Sequence, residues 1–233
     1  MENANTPAVL TAQRLAGCID HTVLAPGHTV ADVDRACDDA LRFGFAAVSV
    51  SPYDIARAAD RLAGSAVAAG GAIGIPLGHG GVRSKVAEAE TCVDAGARDV
   101  DMVLNLVALK SGAWADVRDE IAAVRRTAPG RVLKVIFECC YLTDDEKRRA
   151  CLMAVEAGAD FVKTSTGFGP GGATAEDVAL LTRAVAGAAR VKAAGGIRTV
   201  AQVEAMLAAG ADRIGTSAGP ALMNEFADRQ KAH

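Results

Sequence analysis

The chain has 233 residues, of which 51% are hydrophobic, 23% charged and only 4% aromatic, and its formal net charge is −3. This apolar fraction excludes an intrinsically disordered chain, which lacks the apolar residues needed to form a core. No uninterrupted apolar stretch approaches the roughly 18 residues of a membrane-spanning helix, and the first residues lack the basic and apolar regions of a signal peptide. We therefore expect a cytoplasmic protein that does not bind a membrane.

The charge balance and the cysteines indicate which partners and which metal sites to expect. With 25 Lys and Arg against 28 Asp and Glu, the chain has no overall basic character that would attract a nucleic acid. The six cysteines form no CxxC pair, and the four histidines are scattered rather than clustered at zinc spacing. We expect free thiols in a reducing compartment, no metal site and no nucleic-acid partner.

In chain order, short apolar runs alternate with longer helical patterns. The predicted strands are residues 18–19, 45–50, 72–77, 100–105, 132–138, 161–166, 191–194 and 213–217. Helical patterns lie between them, for example over residues 30–43 and 143–157, and no two strands are close enough for a tight hairpin. Parallel strands joined by helical crossovers predict a single-domain α/β fold, a TIM (β/α)8 barrel over residues 1–233 with a short helical extension before the first strand. An open doubly wound sheet is the alternative, but its glycine-rich dinucleotide-binding turn after the first strand is missing.

A short internal repeat supports the barrel. The tripeptide Ala-Gly-Ala occurs at residues 95–97, 157–159 and 209–211, each time at the end of a helical pattern and directly before a strand. The fifth residue after each central glycine is Asp101, Lys163 or Gly215. If the repeated units superpose, a carboxylate, an amine and an absent side chain point in the same direction.

Four of the predicted strands contain a charged residue in their interior, although strands buried on both faces should be uninterruptedly apolar. These residues are Asp101, Lys134, Lys163 and Lys192. An unpaired buried charge costs several kcal/mol, so these side chains must form ion pairs, change their pKa values, or both. Ion pairs that serve only the fold do not explain the excess of lysine over carboxylate.

Lysines inside a barrel suit one kind of chemistry. A lysine is a nucleophile only when it is neutral, and burial or a second ammonium group nearby lowers its pKa. Lys163 and Lys192 are predicted on adjacent strands, so each can lower the pKa of the other. The neutral amine adds to a carbonyl and forms a Schiff base, which allows a carbon–carbon bond to break or form, while Asp101 moves protons. The three residues predict a class I aldolase that needs no metal and no cofactor.

Glycine-rich segments follow the late strands at residues 169–174, 195–199 and 215–219, each directly before a helical pattern. Backbone N–H groups in such segments can point at an anion with no side chain in the way. Barrels often bind phosphate after strands seven and eight. The segments therefore predict a phosphate pocket.

Five short motifs are distributed along nearly the whole chain. They are Asp20-His-Thr, Asp101-Met-Val-Leu-Asn, Lys163-Thr-Ser-Thr-Gly-Phe, Lys192-Ala-Ala-Gly-Gly-Ile-Arg-Thr and Arg213-Ile-Gly-Thr-Ser. In these motifs the chain resembles the deoxyribose-phosphate aldolase family. The resemblance implies a TIM barrel that reversibly cleaves 2-deoxyribose 5-phosphate to glyceraldehyde 3-phosphate and acetaldehyde. By motif position, Lys163 would be the Schiff-base lysine, and Asp101 and Lys192 the proton-transfer pair.

The same resemblance implies contacts with the substrate. Thr166 and Asp20 resemble residues near the substrate hydroxyls, although Asp20 could instead be a helix cap or part of a surface ion pair. Lys134 resembles a lysine of the fifth strand; it either tunes the electric field around Lys192 or forms a structural pair with Glu138 or Asp101. The phosphate pocket would comprise Gly172, Gly195, Gly196, Gly215 and Ser217.

Some positions depart from the family pattern. Ala218 follows Ser217 where a second small hydroxyl residue is usual, Val82-Arg83 replace a Thr-Glu pair, and Cys139-Cys140 replace a Thr-Gly-like pair. These departures bear on phosphate affinity and substrate range more than on the reaction, because a lost neutral hydrogen bond costs about 0.5–1.5 kcal/mol.

Other functions stay open at this point. A phosphosugar isomerase or a barrel that only binds its ligand would share the glycine-rich segments, but neither needs two lysines and an aspartate inside the strands. A catalytically silent relative would have lost one of the three residues. Another class I aldolase with a different aldehyde or ketone donor is the closer alternative. The alanine-rich helices can pack closely against a partner, and we expect a homodimer.

Overall fold

The computed structural model describes residues 10–232 as a closed barrel of eight parallel strands. The strands are β1 (Ile19–Thr22), β2 (Ala47–Val50), β3 (Ala68–Ile73), β4 (Asp99–Val103), β5 (Val132–Ile136), β6 (Phe161–Lys163), β7 (Arg190–Ala194) and β8 (Arg213–Thr216). They pair in chain order, and β8 closes the barrel against β1. The predicted TIM barrel is confirmed.

Ten α-helices and one 3₁₀ helix connect and flank the strands within residues 10–232. The α-helices are α1 (Ala12–Cys18), α2 (Val30–Phe43), α3 (Ile55–Arg61), α4 (Gly81–Asp94), α5 (Leu106–Lys110), α6 (Trp114–Thr127), α7 (Asp144–Glu156), α8 (Ala175–Val185), α9 (Val200–Ala208) and α10 (Gly219–Lys231), and the 3₁₀ helix is Cys139–Tyr141. Helix α1 is the predicted extension before the first strand. None of these helices combines the length and the apolar character required to cross a bilayer.

Local sequence signals set where several helices begin and end. Capping boxes start α2, α7 and α9, with the threonine and its partner three residues later each bonding the other's backbone. The central glycines of the three Ala-Gly-Ala repeats follow α4, α7 and α9 with φ values of 96°, 87° and 108°, which only glycine adopts without strain. The repeat therefore ends a helix and redirects the chain into the next strand, as predicted.

The prediction of the third strand was displaced. The sequence favoured residues 72–77, but β3 is Ala68–Ile73, because its small residues carry little strand propensity and their role is to allow close packing. A Cβ atom added to Gly71 would lie 2.5 Å from Cys92 Sγ of α4. The first strand was also misplaced: it was predicted at residues 18–19, and β1 continues to Thr22, so Asp20 lies within a strand.

The register of the strands brings the charged residues into the barrel at neighbouring positions. Asp101 of β4 is paired with Lys134 of β5, and Lys163 of β6 is paired with Lys192 of β7. All four are buried. The prediction that Lys163 and Lys192 lie on adjacent strands is therefore confirmed.

Candidate active site

A single carboxylate joins the three lysines inside the barrel. Asp101 Oδ1 accepts a hydrogen bond from Lys134 Nζ at 2.8 Å. Asp101 Oδ2 accepts from Lys163 Nζ at 2.9 Å and from Lys192 Nζ at 2.8 Å. The structure thus brings together the three residues that the sequence proposed for catalysis, with Lys134 as a fourth member.

Two further carboxylates complete this charged cluster. Asp20 Oδ2 accepts from Lys192 Nζ at 2.5 Å, and Asp20 Oδ1 accepts from Arg213 Nη1 at 2.7 Å. Asp99 Oδ2 accepts from Lys134 Nζ at 2.7 Å. Asp20 is completely buried, so the alternative of a helix cap or a surface ion pair was wrong. Asp99 and Arg213 were not singled out from the sequence, because Asp99 directly precedes the predicted fourth strand and Arg213 is the first residue of the predicted eighth strand.

Lys163 has the weakest compensation of the three lysines. Within residues 10–232 its only ion-pair partner is Asp101, whereas Lys192 contacts two carboxylates and Lys134 three. Burial, reinforced by the positive charges of Lys192 and Lys134, lowers the pKa of Lys163 to about 8 against the opposing pull of Asp101. About a tenth of this amine is therefore neutral and nucleophilic at pH 7, far more than for a lysine with the ordinary pKa of 10.5.

The same environment acts in the opposite direction on Lys134 and Asp101. Burial alone would lower the pKa of Lys134, but the charges of Asp101, Asp20 and Asp99 outweigh it and raise the pKa above its ordinary value. Burial alone would raise the pKa of Asp101, but the three lysines hold it well below the ordinary range. Lys134 is therefore a permanent cation, and Asp101 is a permanent acceptor for the amines around it.

A cavity of about 560 Å³ lies at the carboxyl ends of β1, β6, β7 and β8. Lys163 is the only one of the three proposed catalytic residues that lines it, so Asp101 and Lys192 reach Lys163 from within the barrel. The other lining residues are Thr22, Val23, Leu24, Ala25, Pro26, Gly27, His28, Asp32, Thr166, Gly167, Phe168, Ala194, Gly195, Gly196, Ile197, Arg198, Gly215, Thr216 and Ser217. This arrangement places one activated amine in an open pocket and its charged partners behind it.

Two of the three glycine-rich segments, residues 195–199 and 215–219, border the cavity. Gly195, Gly196, Gly215 and Ser217 line it, and helices α9 and α10 begin directly after these segments. Gly172 does not line the cavity. A Cβ atom on Gly172 would lie 2.3 Å from the carbonyl oxygen of Gly195, so Gly172 allows two loops to cross closely.

Gly215 leaves the space that the repeat predicted. A Cβ atom added there would lie 3.1 Å from Lys192 Cε and 2.8 Å from Ala194 Cβ. The missing side chain of β8 therefore leaves room for the side chain of Lys192 on β7.

Thr166 lines the cavity and is held by Glu138, which the sequence suggested as a partner of Lys134. The Glu138 carboxylate accepts hydrogen bonds from the Thr166 backbone N–H, at 3.2 and 3.3 Å, and from its hydroxyl. The suggested pairing of Lys134 with Glu138 was therefore wrong, whereas its pairing with Asp101 is present. Glu138 also has φ at 51°, a conformation that costs energy in a residue other than glycine and is often found at functional sites.

None of the positions that depart from the family pattern lines the cavity that contains Lys163. Ala218 caps α10 next to Ser217, and Val82 is exposed in the first turn of α4. Cys139 is buried and Cys140 exposed. A Cβ atom added to Gly171 would lie 2.8 Å from the Cys140 Cβ, so Cys140 packs against the loop after β6.

Comparison with known proteins gives one consistent family. The model of the DeoC/LacD family aldolases matches residues 14–224. A deoxyribose-phosphate aldolase of Carboxydothermus hydrogenoformans is 47% identical over 219 residues, covering 92% of this chain and 96% of the relative. A deoxyribose-phosphate aldolase of Thermococcus gammatolerans is 49% identical over 209 residues, covering 88% and 93%.

Solved structures agree with this assignment. The tetrameric deoxyribose phosphate aldolase of Aeropyrum pernix superposes with a TM-score of 0.88 at 32% identity, covering 94% of this chain and 93% of that one. The family match extends over nearly all of the described barrel, including every strand and the whole charged cluster. The chain is a member of the DeoC/LacD aldolase family.

Proposed function

We propose that this protein is a deoxyribose-phosphate aldolase, which reversibly cleaves 2-deoxy-D-ribose 5-phosphate to D-glyceraldehyde 3-phosphate and acetaldehyde through a Schiff base on Lys163. The observation that carries the proposal is the buried amine of Lys163, which lines the cavity with a pKa lowered to about 8 and contacts Asp101. Several relatives share about half of their residues with this chain, and all of them are named deoxyribose-phosphate aldolase. Their name supports the same substrate.

The reaction begins with the neutral amine of Lys163. The nitrogen lone pair adds to the aldehyde carbon of the open-chain sugar and forms a carbinolamine. Loss of the hydroxyl group as water gives a protonated Schiff base. Its positive nitrogen withdraws electrons from the neighbouring carbon–carbon bond.

Cleavage then uses that electron withdrawal. A base removes the proton of the C3 hydroxyl, the C2–C3 bond breaks, and glyceraldehyde 3-phosphate leaves with the new carbonyl group. The electron pair of the broken bond stays on the enamine bound to Lys163. Protonation of the enamine at C2 and addition of water release acetaldehyde and restore the free amine.

Asp101 and Lys192 supply the proton transfers in this scheme. Asp101 Oδ2 accepts from both amines, at 2.9 Å from Lys163 and 2.8 Å from Lys192, so a proton can pass between them through one carboxylate oxygen or through water held beside it. Lys134 bonds the other oxygen of Asp101 and keeps the carboxylate ionised. We assign Lys134 the role of a positioning residue.

The phosphate group of the substrate is placed against the glycine-rich edge of the cavity. Gly195 and Gly196 precede α9 and Gly215 and Ser217 precede α10, so backbone N–H groups and two helix N-termini favour an anion there. Thr166 is placed near the sugar hydroxyls, held by Glu138. Asp20 does not line the cavity, and it acts here through Lys192.

The decisive experiment traps the intermediate. The protein is incubated with acetaldehyde, reduced with borohydride, and examined by intact mass and peptide mapping. One added ethyl group on Lys163, absent from Lys163→Leu, is the expected result. A Lys85→Met variant serves as the matched control, since Lys85 is buried but does not line the cavity, and it should still be labelled. A folded wild-type protein that gives no adduct on Lys163 contradicts the proposal.

Three further attributes belong to the proposed enzyme: its compartment, its domain organisation and its oligomeric state. The six cysteines are free thiols, as suits the reducing cytoplasm in which we place the enzyme. We treat residues 1–233 as one aldolase domain and the active species as a homodimer. Light scattering coupled to size-exclusion chromatography measures the oligomeric state, and a monomer of 23.8 kDa contradicts the dimer.

A further inference from the structure

A histidine in the loop between β1 and α2 bridges two segments at the cavity. His28 lines the cavity, and both nitrogens of its ring face oxygen acceptors. His28 Nδ1 lies 2.7 Å from the carbonyl oxygen of Ala25, and His28 Nε2 lies 2.8 Å from Asp54 Oδ2. We call this pair of contacts the His28 bridge.

The two acceptors determine the protonation state that the geometry requires. A carbonyl oxygen and a carboxylate oxygen only accept hydrogen bonds, so each ring nitrogen must carry a proton. A neutral imidazole has one protonated nitrogen and would turn a lone pair toward one of the two oxygens. The bridge is therefore complete only when His28 is an imidazolium ion.

The charged groups that face His28 favour this state. The Ala25 carbonyl and the Asp54 carboxylate raise the pKa of His28 above its ordinary value of 6.5, and Asp32 of α2 adds a weaker effect in the same direction. Asp54 belongs to the turn between β2 and α3, where it is buried and also accepts from Ser51 Oγ at 2.6 Å.

The His28 bridge fixes the wall of the cavity. The loop of residues 23–29 supplies Val23, Leu24, Ala25, Pro26 and Gly27 to the cavity lining, and its turn is closed by the His28 backbone N–H to Ala25 O at 3.0 Å. The side chain then ties this turn to Asp54, a residue 26 positions away on a separate segment. Because both ring nitrogens are already engaged, His28 has no N–H left for a substrate and acts through the loop.

We propose that His28 is a positioning residue whose protonated ring holds the cavity wall closed, and that loss of its proton loosens the wall and weakens substrate binding. The kinetic part of this inference rests on the proposed aldolase function. A raised pKa in the folded state means that the bridge is fully formed below pH 6.5 and is lost as pH rises through that raised pKa. Lys163 has the opposite requirement, because it must lose a proton, with a pKa of about 8. Deprotonation of His28 should therefore raise KM at alkaline pH, whereas deprotonation of Lys163 should raise kcat.

The kinetic test follows KM and kcat for 2-deoxyribose 5-phosphate between about pH 6 and pH 10, a range that brackets both groups. In the wild type, KM should rise about three- to tenfold over the alkaline part of the range. In His28→Gln, KM should already be raised by that factor at low pH and should not change further. In Asp54→Asn, the amide can donate to a neutral ring, so KM should stay low at high pH.

A matched control uses His79, an exposed histidine of the loop between β3 and α4 that does not line the cavity. His79→Gln should keep the wild-type profile of KM against pH. The acid limb of kcat, which reports Lys163, should be the same in all variants. A His28→Gln protein with the wild-type KM profile overturns the inference.

A second measurement does not depend on turnover. Nitrogen NMR of the His28 ring in the whole protein should find the ring mostly doubly protonated at pH 6.5 and neutral only at higher pH, and a mostly neutral ring at pH 6.5 overturns the bridge. Hydrogen-exchange protection of residues 23–28 should fall with proton loss in the wild type but not in Asp54→Asn. If these two results hold while the wild type turns over no substrate, the proposed aldolase function fails and the His28 bridge stands. If the hydrogen-exchange protection of residues 23–28 does not change when His28 loses its proton, the bridge itself is contradicted.

Discussion

Two buried lysines of this protein have opposite surroundings. Lys85 of α4 lies outside the barrel and donates to Glu120 Oε2 of α6 at 2.6 Å, with both side chains almost fully buried. Lys163 lies inside the barrel and shares its one carboxylate, Asp101, with Lys134 and Lys192. Lys85 has a carboxylate partner of its own and joins two helices. Lys163 shares its carboxylate with two other lysines, so positive charge exceeds negative charge around it.

The difference separates a lysine that joins two helices from the lysine that we propose to react. Burial lowers the pKa of both, but only carboxylates, Glu120 and Glu88, oppose it at Lys85, whereas two ammonium groups add to the lowering at Lys163. Only Lys163 lines the cavity. Burial of a lysine is therefore not enough to indicate catalysis; the number of amines per carboxylate and access to a cavity are what distinguish the two.

The largest expected effects come from removing each lysine in turn. Lys163→Leu should lower turnover of 2-deoxyribose 5-phosphate by at least about 10⁴-fold, because no other residue can form the covalent intermediate. Its free energy of unfolding should change little, since Asp101 keeps Lys134 and Lys192 as partners. Lys85→Met should lower the free energy of unfolding by about 3–5 kcal/mol, because Glu120 is left buried and unpaired. Aldolase assays and urea unfolding measure the two quantities.

The double variant Lys85→Met/Glu120→Leu is the control for this comparison. Replacement of both members of a buried ion pair by apolar residues should restore most of the lost stability. Folded Lys85→Met should retain its activity per molecule. A Lys85→Met protein that is as stable as the wild type but inactive would reverse the roles assigned to the two lysines.

A smaller effect concerns the amines that surround Lys163. Lys192→Met removes a positive charge that lowers the pKa of Lys163, so the pH midpoint for trapping acetaldehyde on Lys163 should move upward from about 8. Borohydride trapping at a series of pH values measures this midpoint separately from the proton-transfer role of Lys192. An unchanged midpoint would show that burial alone sets the pKa of Lys163.

The lowered pKa of Lys163 also predicts that the stability of the fold depends on pH. Between pH 8 and 10.5 the unfolded chain holds a proton on Lys163 that the folded protein has lost, so the free energy of unfolding should rise with pH across that window. In Lys192→Met the window becomes narrower and this rise should shrink. The Lys163→Leu variant, which lacks the titrating amine, serves as the baseline.

The smallest expected effect lies at the rim of the cavity. Ala218→Ser places a hydroxyl at the start of α10 beside Ser217, and one added hydrogen bond should lower KM for the phosphorylated substrate by about three- to tenfold. Kinetics with unphosphorylated 2-deoxyribose provide the control and should not change. An equal gain for both substrates would place the new hydroxyl away from the phosphate.

The sequence predicted the barrel and the buried lysine that lines its cavity because both leave local signals. The alternation of strands and helices and the Ala-Gly-Ala repeats indicated the fold, and charges within apolar strands indicated Asp101, Lys163 and Lys192. The position of β3 was missed because its Ala68–Ile73 segment is made mostly of small residues, whose value is close packing against α4. Strand propensity does not record such packing.

Other parts of the site have no local signal. Glu138 and Thr166 are 28 positions apart, and His28 and Asp54 are 26 positions apart. Each of these residues has an ordinary surface or loop role as its simplest interpretation when it is read alone. Only the closure of the barrel, which brings the loops at the carboxyl ends of the strands together, makes them partners.

By itself, the sequence determined a closed barrel with Asp101, Lys134, Lys163 and Lys192 as charges inside apolar strands. Only the tertiary structure decided that one carboxylate would serve three amines, drawn from positions 33, 62 and 91 residues away from Asp101. The physical reason is that a pKa depends on burial and on charges within a few ångströms, and these distances arise from strand register rather than from spacing along the chain.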